Sequence, residues 1–182
     1  MKHLTVKEKE AKAFELMKTN FHYKNVMAAP KVQKIILNVG TGTGVKKDKN
    51  KNTFVSDRLA KITGQKPALR GSKKSVASFK VRQGDPIGVV VTLRGKRMYA
   101  FLEKLVNVAL PRTKDFRGIN RSSVDNIGNL TMGIKEHTIF PETADEDIKD
   151  VFGLAITVVS SAKNKKEGLT FFELLGVPFK KE

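Results

Sequence analysis

Residues 62–97 hold most of the side chains in this sequence that can act on a charged ligand. Nine basic residues stand there against a single acid, Asp85. Lysine and arginine neutralise phosphates, and the counterions released in this way drive association with a polyanion. The stretch therefore predicts a surface that holds cations toward a nucleic acid. The basic residues are Lys66, Arg70, Lys73, Lys74, Lys80, Arg82, Arg94, Lys96 and Arg97.

The composition supports the same interpretation. The 35 basic and 18 acidic residues give a formal charge of +17, which exceeds what solubility requires. A chain of 182 residues is long enough to bury the core of one domain, which we predict to span residues 1–182. The charged amino terminus and the lack of a long apolar run predict a cytoplasmic protein without membrane contact.

Catalytic chemistry finds little support in the sequence. The chain has no cysteine, which excludes disulfides and thiolate metal sites. His3, His22 and His137 are scattered, and nothing supplies a set of three or four metal ligands. Ser75 and Ser78 lack a patterned base, so they are interpreted as loop residues. We expect neither an enzyme nor a cofactor or metal site.

Hydrophobic periodicity predicts the elements that must position the basic residues. Thr5 and Glu8 have capping-box spacing, which predicts a first helix that ends near Asn20. Residues 32–39 alternate as a strand, and residues 54–62 have helical spacing before Gly64, which suits a left-handed cap. Residues 87–93 are a β-branched run typical of a buried strand. Glycine and proline predict turns at residues 70–72 and 83–86.

The second half of the chain continues this alternation. An apolar helix from Met98 is predicted to stop before Pro111, because proline interrupts helices. Residues 111–128 form a long loop, and residues 130–134 and 154–159 alternate as two further strands. A short helix is predicted between these strands, and another closes the chain.

This element order predicts a single-domain α+β fold, in which helices pack on one face of a largely antiparallel sheet and leave the other face open. Alternation places polar side chains of each strand on the open face. Their hydroxyl, amide and cationic groups can donate to phosphate and sugar oxygens. The competing interpretation is an ordinary solvated face. The open positions are Asn38, Val90, Thr92, Arg94, Thr131, Gly133 and Lys135.

Two further segments are candidate contact surfaces. The first is a basic loop at residues 70–86, with Phe79 as a lone aromatic among its cations. Phe79 can stack on an exposed base or pin the loop to the protein, and the residue pattern slightly favours the second. The second is the acidic run at residues 145–147, which suits a first helical turn and a docking patch for a basic partner equally well.

Several long motifs resemble bacterial large-subunit ribosomal protein five, the 5S rRNA-binding ribosomal protein family. They cover essentially the whole chain in order. The motifs are YKNVMAAPKVQKIILNVG (residues 23–40), KITGQKP (61–67), KKSVASFKVRQGDPIGVVVTLRG (73–95), DFRGIN (115–120), GNLTMGIKEHTIFPE (128–142) and EGLTFFELLGVPFKK (167–181).

The resemblance implies a structural constituent of the large ribosomal subunit that binds 5S rRNA in the central protuberance and acts in translation. It also implies contacts with 23S rRNA, the peptidyl-site tRNA, a small-subunit head protein and neighbouring large-subunit proteins. No homo-oligomer is expected.

Carried onto this sequence, the resemblance divides the contacts among three sets of residues. The rRNA set is Asn38, Gln65, Thr92 and Arg94, with Thr131 and Lys135 added from the predicted open face. The tRNA set is the loop residues Lys73, Lys74, Ser75, Ser78, Phe79, Lys80 and Arg82. The intersubunit set is Arg112, Arg117, Glu142, Asp145 and Glu146.

Some positions depart from the family pattern. Arg70 and Gly71 stand where a small hydroxyl residue and a variable neighbour are expected, and Asp85 replaces an often aromatic or neutral residue. Residues 46–52 are richer in Lys and Asn than usual.

The alternative hypothesis is a nucleic-acid-processing factor or RNA chaperone with some turnover, which the absence of a catalytic constellation disfavours.

Overall fold

The computed structural model describes residues 4–42, 50–114, 116–143 and 151–180. Helices and strands alternate there in an α+β fold, which confirms the predicted fold class. The five strands form one antiparallel sheet in the order β2-β3-β1-β5-β4. They are β1 (Val32–Gly40), β2 (Ala68–Gly71), β3 (Pro86–Leu93), β4 (Leu130–Ile134) and β5 (Leu154–Ser160).

Four helices accompany the sheet in the described ranges. They are α1 (Val6–Phe21), α2 (Lys51–Thr63), α3 (Gly95–Lys104, continuing through Leu105–Ala109 and Leu110–Arg112) and α4 (Lys165–Leu175). Of the short helix predicted within residues 141–152, the structure describes a 3-10 turn at Pro141–Thr143 and non-helical residues at Val151 and Phe152, and residues 144–150 lie outside the described residues.

The chain forms two compact units, each built from segments that are distant in sequence. The first unit comprises Met1–Ile35, Arg94–Met132 and Thr157–Glu182, and the second comprises Ile36–Leu93 and Gly133–Ile156. β1, β4 and β5 therefore contribute residues to both units. That residues 1–182 form a single domain stays a prediction.

In the first unit, α1 packs against α4 and α3. The predicted capping box is present: Glu8 N–H donates to Thr5 Oγ1 (3.3 Å), and Thr5 N–H donates to Glu8 Oε2 (2.8 Å). The helix ends at Phe21, one residue later than expected. Its buried side chains are Val6, Ala13 and Met17, of which Ala13 and Met17 are fully excluded from solvent.

The prediction that the apolar helix stops before Pro111 is wrong. α3 makes a π-helical turn at Leu105–Ala109, in which Leu110 N–H donates to Leu105 O, and then continues to Arg112. Proline lacks an N–H and clashes with the carbonyl four residues earlier in a regular helix. The wider π turn changes the hydrogen-bond register, so that Pro111 stands near the start of a new turn, where a missing N–H is tolerated.

In the second unit, α2 packs against β3. Gly64 ends this helix in the left-handed conformation (φ 65°), with its N–H donating to Ala60 O, as the sequence predicts. Asn52 donates from Nδ2 to Pro86 O (3.0 Å), which ties the first turn of α2 to the start of β3.

The sequence patterns do not predict β2, and the turn expected at residues 70–72 is wrong. Arg70 and Gly71 belong to β2, which pairs antiparallel with β3 from Ala68 opposite Val90 to Gly71 opposite Pro86. All four residues of β2 are exposed, so the strand lacks the alternation by which strands are recognised. Edge strands are commonly short in this way.

The basic loop is a hydrogen-bonded hairpin that extends from β2 and β3. Ser72 N–H donates to Asp85 O (2.8 Å), and Gly84 N–H donates to Ser72 O (3.0 Å). Val76 and Val81 pair antiparallel farther along. The predicted turn at residues 83–86 is present, with Gly84 at φ 91°. Asp85 Oδ2 accepts the Arg82 N–H (2.7 Å) within this turn.

We predict that Asp85→Ala loosens the hairpin without unfolding the protein. The substitution removes the carboxylate acceptor of the Arg82 N–H, and a hydrogen bond to a charged group contributes about 1.5–3 kcal/mol. Amide hydrogen exchange at Arg82, Val76 and Val81 should become roughly tenfold faster or more, with an unchanged melting temperature. Asp85→Asn, which keeps an acceptor oxygen, is the control. Equal protection in the Ala variant would show that the carboxylate does not hold the turn.

Both tyrosines of the sequence lie in the first unit and donate to carboxylates. Tyr99 Oη donates to Glu10 Oε1 (2.8 Å), and Tyr23 Oη donates to Glu167, which is buried in α4. Burial, followed by the hydrogen bond to Glu10, raises the pKa of Tyr99 to about 12. Burial and the bond to Glu167 also raise the pKa of Tyr23. Both phenols therefore keep their protons to a higher pH in the folded protein than in the unfolded chain.

A pH titration of phenolate absorbance tests these contacts. We expect no phenol to ionise near the ordinary pKa of 10 in the folded protein, and both to ionise there in denaturant. Above pH 10 the unfolded chain loses phenol protons that the folded chain keeps, so these groups make stability fall as the pH rises. A titration step near pH 10 in the folded protein would contradict the raised pKa values.

Candidate nucleic-acid interface

In the second unit, Asn38 is an exposed amide on a strand whose alternate residues are buried. Leu37 is fully buried and Val39 is 1% exposed, whereas the Asn38 side chain faces solvent. Alternation thus occurs where the sequence predicts it. An exposed amide can donate to phosphate or sugar oxygens and accept from ribose hydroxyls.

The structure brings together two predicted rRNA residues of the same unit, Gln65 and Thr92. Gln65 follows the Gly64 cap of α2, and its Nε2 donates to Thr92 O on β3 (3.1 Å). Thr63 Oγ1 accepts the Gln65 N–H (3.3 Å) and donates to Leu59 O (2.7 Å), which fixes the backbone at this corner. Both Gln65 and Thr92 are half-buried. The corner therefore presents an oriented amide next to a hydroxyl.

The other predicted rRNA residues lie in different parts of the chain. Lys135 is exposed just after β4, in the second unit. Arg94 is exposed at the N-cap of α3, in the first unit. Thr131, also in the first unit, is exposed on β4, and its Oγ1 shares a hydrogen bond with Thr157 Oγ1 on β5 (3.1 Å). Each of these positions is accessible to a ligand.

The tRNA set lies on the basic hairpin. Its members Lys73, Lys74, Ser75, Ser78, Phe79, Lys80 and Arg82 are all exposed. Ser75 Oγ accepts the Gln83 N–H (3.0 Å), so this hydroxyl also braces the hairpin. Lys80 occupies the left-handed region (φ 49°) and closes the hairpin tip with a bond from its N–H to Ala77 O. Ordered backbone thus holds four cations toward solvent.

Phe79 stands at the tip of this hairpin with 68% of its surface exposed. The exposed part of the ring is accessible to a base. Whether Phe79 stacks on a base or pins the loop stays a prediction.

The intersubunit set is only partly described. Arg112 is exposed at the end of α3, and Glu142 is exposed in the turn Pro141–Thr143. Arg117 lines a groove that the sequence did not reveal. Phe179 and Lys180, which line the same groove, stand some sixty residues from Arg117, so no local pattern links them. Asp145 and Glu146 lie outside the described residues.

The part of the chain that the structure describes contains neither a candidate metal centre nor a candidate membrane helix. No group of three or more His, Asp or Glu side chains within them can hold a metal ion. None of the helices there has the length and apolar character to cross a bilayer.

Comparison with known proteins gives two matching family models. One, described as Ribosomal protein L5, matches residues 25–82. The other describes the C-terminus of the same ribosomal protein family and matches residues 86–179. Together the two models cover most of the chain.

Curated bacterial relatives match over nearly the whole chain. A large ribosomal subunit protein uL5 of Halothermothrix orenii is 50% identical over 87% of this chain and 88% of its own length. The uL5 of Mycoplasma mycoides subsp. mycoides is 47% identical over 98% of both chains. That of Brevibacillus brevis is 49% identical over 90% of both. Proteins of this family are structural, non-enzymatic constituents of the large subunit of the cytoplasmic ribosome. The predicted resemblance is confirmed, and the chain belongs to the ribosomal protein L5 family.

Proposed function

We propose that this protein binds 5S rRNA and helps attach it to the central protuberance of the large ribosomal subunit. The observation that carries the proposal is the corner of the second unit where Gln65 donates to Thr92 O, in the same unit as the exposed Asn38. Oriented amide and hydroxyl groups select the geometry of a structured RNA, whereas charge alone binds any polyanion. Arg94 adds a cation that can pair with phosphate.

Two features support this function over general polyanion binding. The groups are held on strands and at a capped helix end, so little side-chain freedom is lost on binding. The formal charge of +17 then supplies the sequence-independent part of the affinity. Contacts with 23S rRNA and with neighbouring large-subunit proteins belong to the same proposal, through the basic surface outside this corner.

The basic hairpin contacts the peptidyl-site tRNA. Its four exposed cations and exposed Phe79 match the phosphates and unstacked bases that a tRNA offers. Arg112 and Glu142, which are both exposed, contribute to contact with a protein in the head of the small subunit. A set of contact residues that carries charges of both signs favours a partner selected by complementary charges.

Substitution of two predicted rRNA residues tests the 5S rRNA contact. We expect Asn38→Ala and Arg94→Ala each to weaken 5S rRNA binding about tenfold, because hydrogen bonds to charged groups are worth about 1.5–3 kcal/mol. The measurement is a salt titration of affinity for 5S rRNA beside a tRNA. The wild-type protein should keep a large preference for 5S rRNA across the series, which each variant reduces.

The matched controls for these variants are Asn20→Ala and Lys12→Ala on α1, which remove an exposed amide and one exposed charge elsewhere. They should leave the 5S preference intact. If Asn38→Ala and Arg94→Ala also leave it intact, these residues do not contact 5S rRNA. If the 5S rRNA and tRNA curves of the wild type coincide, the protein is a general polyanion binder.

The hairpin is tested by replacing Lys73, Lys74 and Lys80 together with alanine. We expect 5S rRNA affinity to stay within about threefold of the wild type, and tRNA binding to the peptidyl site of assembled ribosomes to fall clearly. The reason is that these cations lie on the hairpin beyond the pair of Gly71 and Pro86, whereas Gln65 and Thr92 lie past the other end of the paired strands. A large loss of 5S rRNA affinity would assign the hairpin to 5S rRNA instead.

A further inference from the structure

A groove in the first unit lies outside both the 5S rRNA residues and the basic hairpin. Phe116, Arg117 and Gly118 of the long loop form one wall, and Pro178, Phe179 and Lys180 form the other. It is an open groove with a volume of about 600 Å³. The two phenylalanine rings are half-buried and the two cations are exposed. The groove is therefore an apolar slot with a basic rim.

The two walls are held together by backbone contacts. Ile119 N–H donates to Pro178 O (2.8 Å), and Lys180 N–H donates to Ile119 O (2.9 Å). Gly118 has φ 93°, and a Cβ at this position would stand 2.8 Å from Lys180 N. No other residue allows this approach without displacing the backbone. The groove is thus formed before any ligand arrives.

The side chains of both cations at the rim are exposed to solvent. Within the described ranges, neither Arg117 nor Lys180 has an ion-pair partner. Arg121 on the same loop differs, because its Nη2 pairs with Glu173 Oε1 at 2.9 Å. Two cations beside two aromatic rings favour binding of a ligand that combines negative charge with a flat apolar face.

We propose that this groove binds one unstacked nucleotide of ribosomal RNA. Its base stacks on Phe116 or Phe179, and its phosphates meet Arg117 and Lys180. Stacking on an aromatic side chain is tolerant of base identity and strengthens binding of single-stranded RNA. An acidic peptide would neutralise the cations, but it would supply a planar partner for the rings only where it carries an aromatic side chain of its own. Arg117, which the family resemblance assigns to the intersubunit contact, thereby becomes an RNA-binding residue.

This inference rests on the proposed function only in taking RNA as the partner. It uses none of the residues assigned to 5S rRNA or tRNA. A protein with a charge of +17 binds RNA at many positions, so total binding cannot report on one groove. A local signal is required.

The sequence contains no tryptophan, so Phe179→Trp creates a single emission source in the groove. The full chain carrying this substitution is titrated with a short single-stranded oligoadenylate. We expect saturable quenching of the emission as adenine stacks on the indole. Phe14→Trp, at a half-buried position on α1, is the control and should show little quenching. Anisotropy of a labelled oligoadenylate confirms that RNA is bound in both variants.

The cations are tested in the Phe179→Trp background. We expect Arg117→Gln with Lys180→Gln to raise the half-saturating RNA concentration about tenfold, and to flatten the salt dependence in proportion to the number of phosphates that are no longer neutralised. Arg121→Gln removes a similar charge that is already paired with Glu173, and should change the midpoint less than about twofold.

Three results would overturn the proposal. The first is unchanged emission of the Phe179→Trp variant while anisotropy reports bound RNA, and the second is equal quenching in the Phe14→Trp control. The third is equal quenching by a polyglutamate peptide of the same charge, which would make the groove a protein-docking site.

If Phe179→Trp fails to fold, crosslinking of the wild-type protein with a 4-thiouridine oligonucleotide replaces it. Crosslinks at residues 116–118 or 178–180 support the proposal, and crosslinks found only elsewhere overturn it. The 5S rRNA preference is measured in parallel. Its loss with groove binding intact would refute the proposed function alone, and the reverse result would refute the groove alone.

Discussion

Burial of alternate strand residues is the interaction on which the candidate interface depends. Leu37, Val39, Val89, Val91 and Leu93 are all at most 2% exposed. Each fully buried side chain of this size contributes about 1.5–3 kcal/mol. A shift of one residue in register would expose these side chains and bury Asn38 and Thr92 instead. The core therefore decides which polar side chains of these strands are exposed.

The cations of the basic hairpin repel one another, and without a bound ligand no phosphate neutralises them. Hydrogen bonds within the hairpin must therefore hold its backbone in place. The backbone bonds between Ser72 and Asp85 and the antiparallel pair Val76 and Val81 do this. Asp85 adds a carboxylate that accepts the Arg82 N–H. This acid, which departs from the family pattern, thus strengthens the turn at the base of the hairpin. A preformed hairpin loses less conformational freedom on binding than a loose loop.

Much of the fold and part of the site follow from local patterns. The capping box at Thr5, the Gly64 cap and the alternation around Asn38 are predictable because each depends on residues that are close in sequence. The predictions fail where a distant contact or an unusual turn intervenes. β2 is recognisable only by its pairing with β3, and Pro111 continues α3 because a π turn precedes it.

Residue order alone is enough to assign the family, because long motifs resemble it along the chain. It also predicts the α+β class, the cationic character and the polar residues at alternate strand positions, because composition and short-range periodicity encode these features. Which of these residues meet depends on the folded chain. The bond from Gln65 to Thr92, the order of the basic hairpin and the groove between residues 116–118 and 178–180 all join segments that are separated along the sequence. Such pairings arise when burial of the core brings strands and loops together, which no local pattern specifies.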